Sequence, residues 1–167
     1  MGIRMGTTTF LFNLLLVAAP ALADGKFPTM PDEQVTPGAL CVTPSEYRYP
    51  EKIPYCSRAV GGDTKHKVID LYDKQFGYTI NDMNRGDFKI DHLIPLCAGG
   101  SNEETNLWPQ HKSVYAITDP LEPLLCQLMS EGSLKQAEAV EIVLDVKHHL
   151  EKAADVIASL KTRLKKH

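Results

Sequence analysis

The sequence predicts a mixed α+β fold: a small hairpin core with helices packed around it, an extended arm before it and cysteine staples holding the parts together. Three observations carry this expectation. A proline-rich early stretch lacks helical period, a glycine-rich reversal separates two short apolar runs, and amphipathic segments at helical spacing flank that reversal. The chain has 167 residues, which suits one domain, since single domains commonly run to about 100–200 residues. It shows no internal repeat and no low-complexity tract.

Residues 1–23 read as a secretory leader. Arg4 supplies a basic front, Phe10 to Ala19 an apolar run, and Ala21-Leu22-Ala23 the small residues a signal peptidase prefers. The run falls short of the roughly 20 residues a spanning helix needs, so a periplasmic or secreted protein with no membrane contact after cleavage is expected. Residues 24–55 hold Pro28, Pro31, Pro37, Pro44, Pro50 and Pro54 and should form an extended arm. The principal domain is placed at 56–147, and 148–167 is read as a basic amphipathic helix or tail.

Within the domain, Val68, Leu71, Tyr72 and Phe76 fall on one helical face, with Asp63 or Thr64 as cap and Gly77 as stop. From Phe88 the period changes to that of a strand, ending at Pro95. Ala98-Gly99-Gly100-Ser101-Asn102 then reverses the chain, and Thr105 to Trp108 forms the return. Thr118-Asp119-Pro120 reads as a helix start, with a stop at Gly132. Ser133 and Gln136 suggest a capping box for a further helix turning Ala137, Val140, Val143 and Leu144 inward. The apolar stripe then continues through Leu150, Ala154, Ile157 and Leu164, which fits a late core helix.

Cys41, Cys56, Cys97 and Cys126 follow the leader. An even number in an oxidising compartment implies disulfides. Cys41–Cys56 and Cys97–Cys126 are expected, because the first pair closes a loop-rich stretch and the second ties the hairpin to the next helix. No C-x-x-C pair is present, which argues against a zinc scaffold. The formal net charge of −3 is low for a nucleic-acid binder, which ordinarily neutralises phosphates with a basic surface. Bases are clustered only locally.

The stretch that carries chemistry runs from Asp87 to Pro109. A strand delivers a carboxylate, Asp91, beside an imidazole, His92; a glycine turn folds back, and Asn106 arrives on the return. Carboxylate oxygen can hold a hard cation against a phosphodiester. Neutral histidine can take a proton from water near neutral pH. An asparagine amide, donor and acceptor at once, can brace the loop so that Asp91 and His92, which point to opposite faces of a regular strand, converge on one phosphate.

The pattern D-H-L-I-P-L-x-x-G-G-S-N-x-x-x-N-L-W-P resembles the signature of the HNH (ββα-metal) nucleases, in particular the bacterial and phage branch whose loop ends in Asn-Leu-Trp-Pro. The match is close over 87–109 and looser over Tyr49 to Tyr72 and Thr118 to Gly132. The resemblance implies a ββα-metal fold and hydrolysis of DNA, with RNA as a second substrate. It also implies one divalent cation: Mg²⁺ first, with Mn²⁺, Ca²⁺ or Zn²⁺ as alternatives. Carried onto this chain, Asp91 is the metal ligand, His92 the general base and Asn106 the loop brace.

Many relatives place a second metal ligand on the helix after the hairpin, where this chain has Tyr115. The residues themselves leave Asp119, Glu122 and His111 open for that role. Arg58 and Lys112 are candidate substrate contacts, and Trp108 reads as a core anchor. The competing function is a non-catalytic exported binding module that keeps the fold without turnover.

Overall fold

The computed structural model describes residues 25–166, and the expected leader 1–23 lies outside the described residues. The architecture is mixed α+β, with two small antiparallel sheets among helices. In the expected arm the chain is not extended throughout. Strands β1 (Glu46–Arg48) and β2 (Ile53–Tyr55) pair as a hairpin, with Tyr47 opposite Pro54. Proline is tolerated there because a two-stranded ribbon has only edges, and buried Ile53 anchors it. The earlier part of the arm lies along the loop that joins the two strands of the second hairpin. Gly38 N–H donates to the Thr105 carbonyl at 3.0 Å, Cys41 N–H to Gly99 at 2.8 Å, and the Thr36 hydroxyl to Leu107 at 3.0 Å.

Helix α1 (Gly62–Phe76) ends where Gly77 was expected to stop it. Neither Asp63 nor Thr64 caps its start; the N-cap is Gly61, with no side-chain bond. Its buried face is Val68, Ile69, Tyr72 and Phe76, so Ile69 takes the depth expected of Leu71. The face packs on the second hairpin, β3 (Phe88–His92) with β4 (Leu107–His111), forming one core with Phe88, Ile90, Leu93, Leu107, Trp108 and Val114. The return strand starts at Leu107, later than the expected Thr105, because Glu104–Asn106 forms a 3-10 turn, and it continues through Pro109 to His111.

Helix α2 (Lys112–Thr118) follows β4 directly, so Thr118 ends one helix instead of capping the next as expected; α3 (Leu121–Ser130) begins just after Pro120, which is its N-cap and makes no side-chain capping bond. Helix α4 (Gln136–His148) does not use the expected capping box. Lys135 is its N-cap, and Gln136 is held by tertiary partners: its backbone N–H donates to Glu51 at 2.8 Å and its amide to the Ala98 carbonyl at 3.0 Å. These long-range bonds replace the local reciprocal pair. The inward face is accordingly Ala139, Val143, Val146 and Lys147, with Ala137 exposed and Val140 and Leu144 only half-buried. Helix α5 (Ala153–Leu164) packs in a second core with α3 and α4, but its buried residues are Ala153 and Leu160; of the expected stripe, Ala154 is exposed and Leu150, Ile157 and Leu164 are only half-buried.

Cys41–Cys56 and Cys97–Cys126 are paired at disulfide distance, with Cα atoms 5.8 and 5.7 Å apart, as the spacing predicts. No helix of the described residues is long and apolar enough to cross a membrane.

Candidate functional site

The turn between β3 and β4 is held from inside by Asn106, which is fully buried. Its amide oxygen accepts from Ile94 N–H at 2.9 Å and its amide nitrogen donates to the carbonyls of Ile94 at 3.0 Å and Ser101 at 2.9 Å. One side chain thereby joins the end of the outgoing strand to the middle of the loop. The two glycines serve different needs. Gly99 has φ +84°, in the left-handed region, whereas at Gly100 a Cβ would lie 1.8 Å from the Ile94 carbonyl oxygen. The second position therefore demands closeness rather than a special dihedral.

Asp91 and His92 are adjacent on the clasped strand, and their side chains diverge as strand geometry requires, so the turn does not bring them together over one phosphate as expected: Asp91 lines a cavity that His92 does not. The Asp91 carboxylate is 7% exposed and enclosed by cations. Lys147, from the buried face of α4, donates to its Oδ2 at 3.0 Å and to the His92 carbonyl at 2.5 Å. Lys89, two residues earlier on the same strand face, places its ammonium 3.7 Å from Oδ1. Burial alone would raise the Asp91 carboxyl; the charges of Lys147 and Lys89 outweigh it and hold the group below the usual carboxylate range.

His92 is 3% exposed. Its Nε2 lies 3.1 Å from the Asn102 amide oxygen, which can only accept, so Nε2 carries the proton in the neutral ring. Nδ1 is then a lone-pair acceptor, buried and without a protein partner. Asn102 is fixed by the exposed segment above it, accepting from Ala59 N–H at 3.2 Å and donating to the Ser57 carbonyl at 2.8 Å. Arg58 lies between those two residues. Burial lowers the His92 pKa; the Asn102 bond and Asp91 act upward, Arg58 and Lys147 downward, and the net shift is below the ordinary value.

Asp91 opens on a cavity of about 600 Å³ that also contains Arg58, Lys65, Arg85, Lys89, Asp119 and Glu122. His92 is not among its lining residues. Glu122, on α3, shares the cavity with Asp91, and its carboxyl is raised by burial and by the negative charge of Asp91. Two residues named from the sequence are not brought to this place. Lys112 pairs with Asp87 at 2.9 Å, on the surface. His111 stands opposite Phe88 in the hairpin register, on the face away from Asp91; it stacks on Phe27 with ring centroids 4.0 Å apart and caps α2 through Ser113 N–H. An aromatic stack and a helix cap occupy the ring expected to bind metal.

The residues at Asp91 do not fit a hard divalent cation. One carboxylate oxygen already accepts from an ammonium and the other faces a second one. Among the described residues, the group of three candidate ligands that does converge is Cys97, Glu122 and Cys126, with donor atoms within 4.8 Å of one another. Its two sulfurs are spent on the disulfide. The sequence reading missed three participants. Lys147 follows Val143 by four positions on the inward stripe of α4, Lys89 alternates with Asp91 on one strand face, and Asn102 closes the Gly-Gly-Ser-Asn run. Compared with protein-family models, with curated proteins and with solved structures, the chain matches none.

Proposed function

We propose that this protein is an exported nuclease that hydrolyses phosphodiester bonds, with a core of HNH type formed by β3, β4 and α2. The observation that carries the reading is the charge of the cavity. In a chain with net charge −3, the hollow onto which Asp91 opens gathers Arg58, Lys65, Arg85 and Lys89, a setting for a phosphate backbone. The next residue of the strand, His92, lies outside that lining; burial holds its ring neutral and leaves one ring nitrogen unpartnered, as a general base requires.

In this reading His92 Nδ1 takes a proton from water as the water oxygen bonds to phosphorus. The P–O ester bond breaks, and the departing oxygen takes a proton from solvent. The Ser57–Ala59 segment is tied to Asn102, the partner of the ring, by two hydrogen bonds, an exposed closure of low local stability whose opening, in this reading, admits water to the buried ring. Arg58 moves with it and meets the substrate. With no base-reading helix or finger in the sequence, cleavage has low sequence preference. The paired cysteines suit an oxidising compartment, in keeping with export.

The test incubates mature, oxidised protein with plasmid DNA and with RNA. Nicking by the wild type and a loss of about 10²–10⁴-fold in His92→Ala are expected for removal of a general base. Full activity in that variant refutes the assignment. Binding of DNA without any cleavage, in all buffers, supports the binding-module reading instead, which the burial of His92 favours.

A further inference from the structure

We propose that the cation of this site is the Lys89 ammonium, seated against Asp91 where a divalent ion would otherwise bind, so that the chemistry runs without metal. The inference rests on the nuclease reading above and assigns that reaction its charge stabiliser.

The seat has three walls. Asp91 Oδ1 is 3.7 Å from Lys89 Nζ, the Asp119 carboxylate forms a direct ion pair with it, and the ring of Tyr115 lies under it with its centroid at 4.9 Å. Two carboxylates and an aromatic face make a site for an ammonium, because the ring offers negative quadrupole but no lone pair for a hard metal. The opposite side of Lys89 faces the cavity shared with Arg58 and Glu122. Its side chain is 34% exposed, so its charge reaches an incoming phosphate.

Lys147 makes the arrangement one-sided. It occupies Asp91 Oδ2 from the interior and is itself 4% exposed, which leaves Oδ1 as the open oxygen and commits it to Lys89. A divalent ion at Oδ1 would sit beside two ammonium groups in a poorly solvated place, where like-charge repulsion is strong. Displacing Lys147 instead would strand its charge inside the protein. During hydrolysis Lys89 is therefore the group that touches the phosphoryl oxygens as negative charge accumulates. Asp91, Asp119 and Tyr115 position it.

The experiment uses mature, oxidised wild type, Lys89→Met, Lys89→Arg and Asp91→Asn. Plasmid cleavage is measured in EDTA and in Mg²⁺, and Mn²⁺ is titrated into metal-stripped protein by calorimetry. Cleavage by the wild type is expected to be equal in the two buffers, with no Mn²⁺ uptake. Lys89→Met is expected to lose about 100-fold in EDTA, the scale of one removed charge stabiliser, with Lys89→Arg restoring part of it. It should also gain a Mn²⁺ site, through the freed oxygens of Asp91 and Asp119, that adding Asp91→Asn abolishes. Cleavage that EDTA stops and Mg²⁺ restores, or Mn²⁺ uptake by the wild type that Asp91→Asn removes, overturns the proposal and leaves the nuclease reading standing. A wild type that cuts nothing in either buffer sinks the nuclease reading, while the Mn²⁺ titration still decides what occupies the seat.

Discussion

Asn106 uses its amide more completely than any other polar side chain of the hairpin. Three backbone groups depend on it, and Ala39 N–H approaches the same oxygen at 3.4 Å. Asn106→Ala leaves those groups buried without partners, so urea unfolding is expected to show a loss of about 3 kcal/mol, the scale of an unsatisfied buried cluster. His92 adds a pH dependence. Because burial above all pulls its pKa below the ordinary value, the unfolded chain takes up a proton at a higher pH than the folded one. The stability contributed by the neutral ring is thus full above about pH 6.5 and is lost as the pH falls from there toward the folded value. Urea midpoints measured across that interval should decline with acid in the wild type and decline less in His92→Gln. An unchanged slope would refute the buried, neutral ring.

The turn between β3 and β4 is governed by backbone proximity. A methyl group at Gly100 collides with the Ile94 carbonyl, which the Asn106 clasp prevents from retreating. Gly100→Ala is therefore expected to cost about 3 kcal/mol, at the upper end of overpacking effects, and to lower cleavage because the strand that presents Asp91 and His92 shifts with the loop. Thermal unfolding and plasmid nicking on one preparation check both. The helices follow a related rule. α1 buries Ile69 where Leu71 was expected, and α4 buries Ala139, Val146 and Lys147 in place of Ala137, Val140 and Leu144, because the neighbours they meet decide which side chains lie deepest.

Beside its two apolar cores the protein has two covalent ties. Cys97–Cys126 joins the 3-10 turn Leu96–Ala98 region to α3 across 29 residues, and Cys41–Cys56 holds the β1–β2 hairpin against the loop across 15. Loop-closure entropy puts these at about 3.5 and about 3 kcal/mol. Reduction should lower the melting temperature clearly, and the double variant Cys97→Ser/Cys126→Ser should lose the larger share. Equal melting of oxidised and reduced protein would show that the cores suffice alone. The staple at Cys56 also fixes the neighbouring Ser57–Ala59 segment against Asn102, so its removal is expected to raise the exchange rate of the Ala59 amide.

Much of this could be read along the chain, because it is encoded over short distances. The glycine reversal, the brace at Asn106, the end of α1 at Gly77 and the cysteine pairing all follow from local period, turn chemistry and spacing. The surroundings of Asp91 could not be read in that way. Lys147 reaches it from 56 residues away by virtue of the rotation of α4, and His111 leaves it because the hairpin register sets that ring opposite Phe88. A slip of one residue in a strand exchanges its faces, and a turn of one position in a helix exchanges a lysine for a valine. Which charges meet the carboxylate is therefore settled by packing between distant segments, where the free energy of burying a whole face outweighs any local preference.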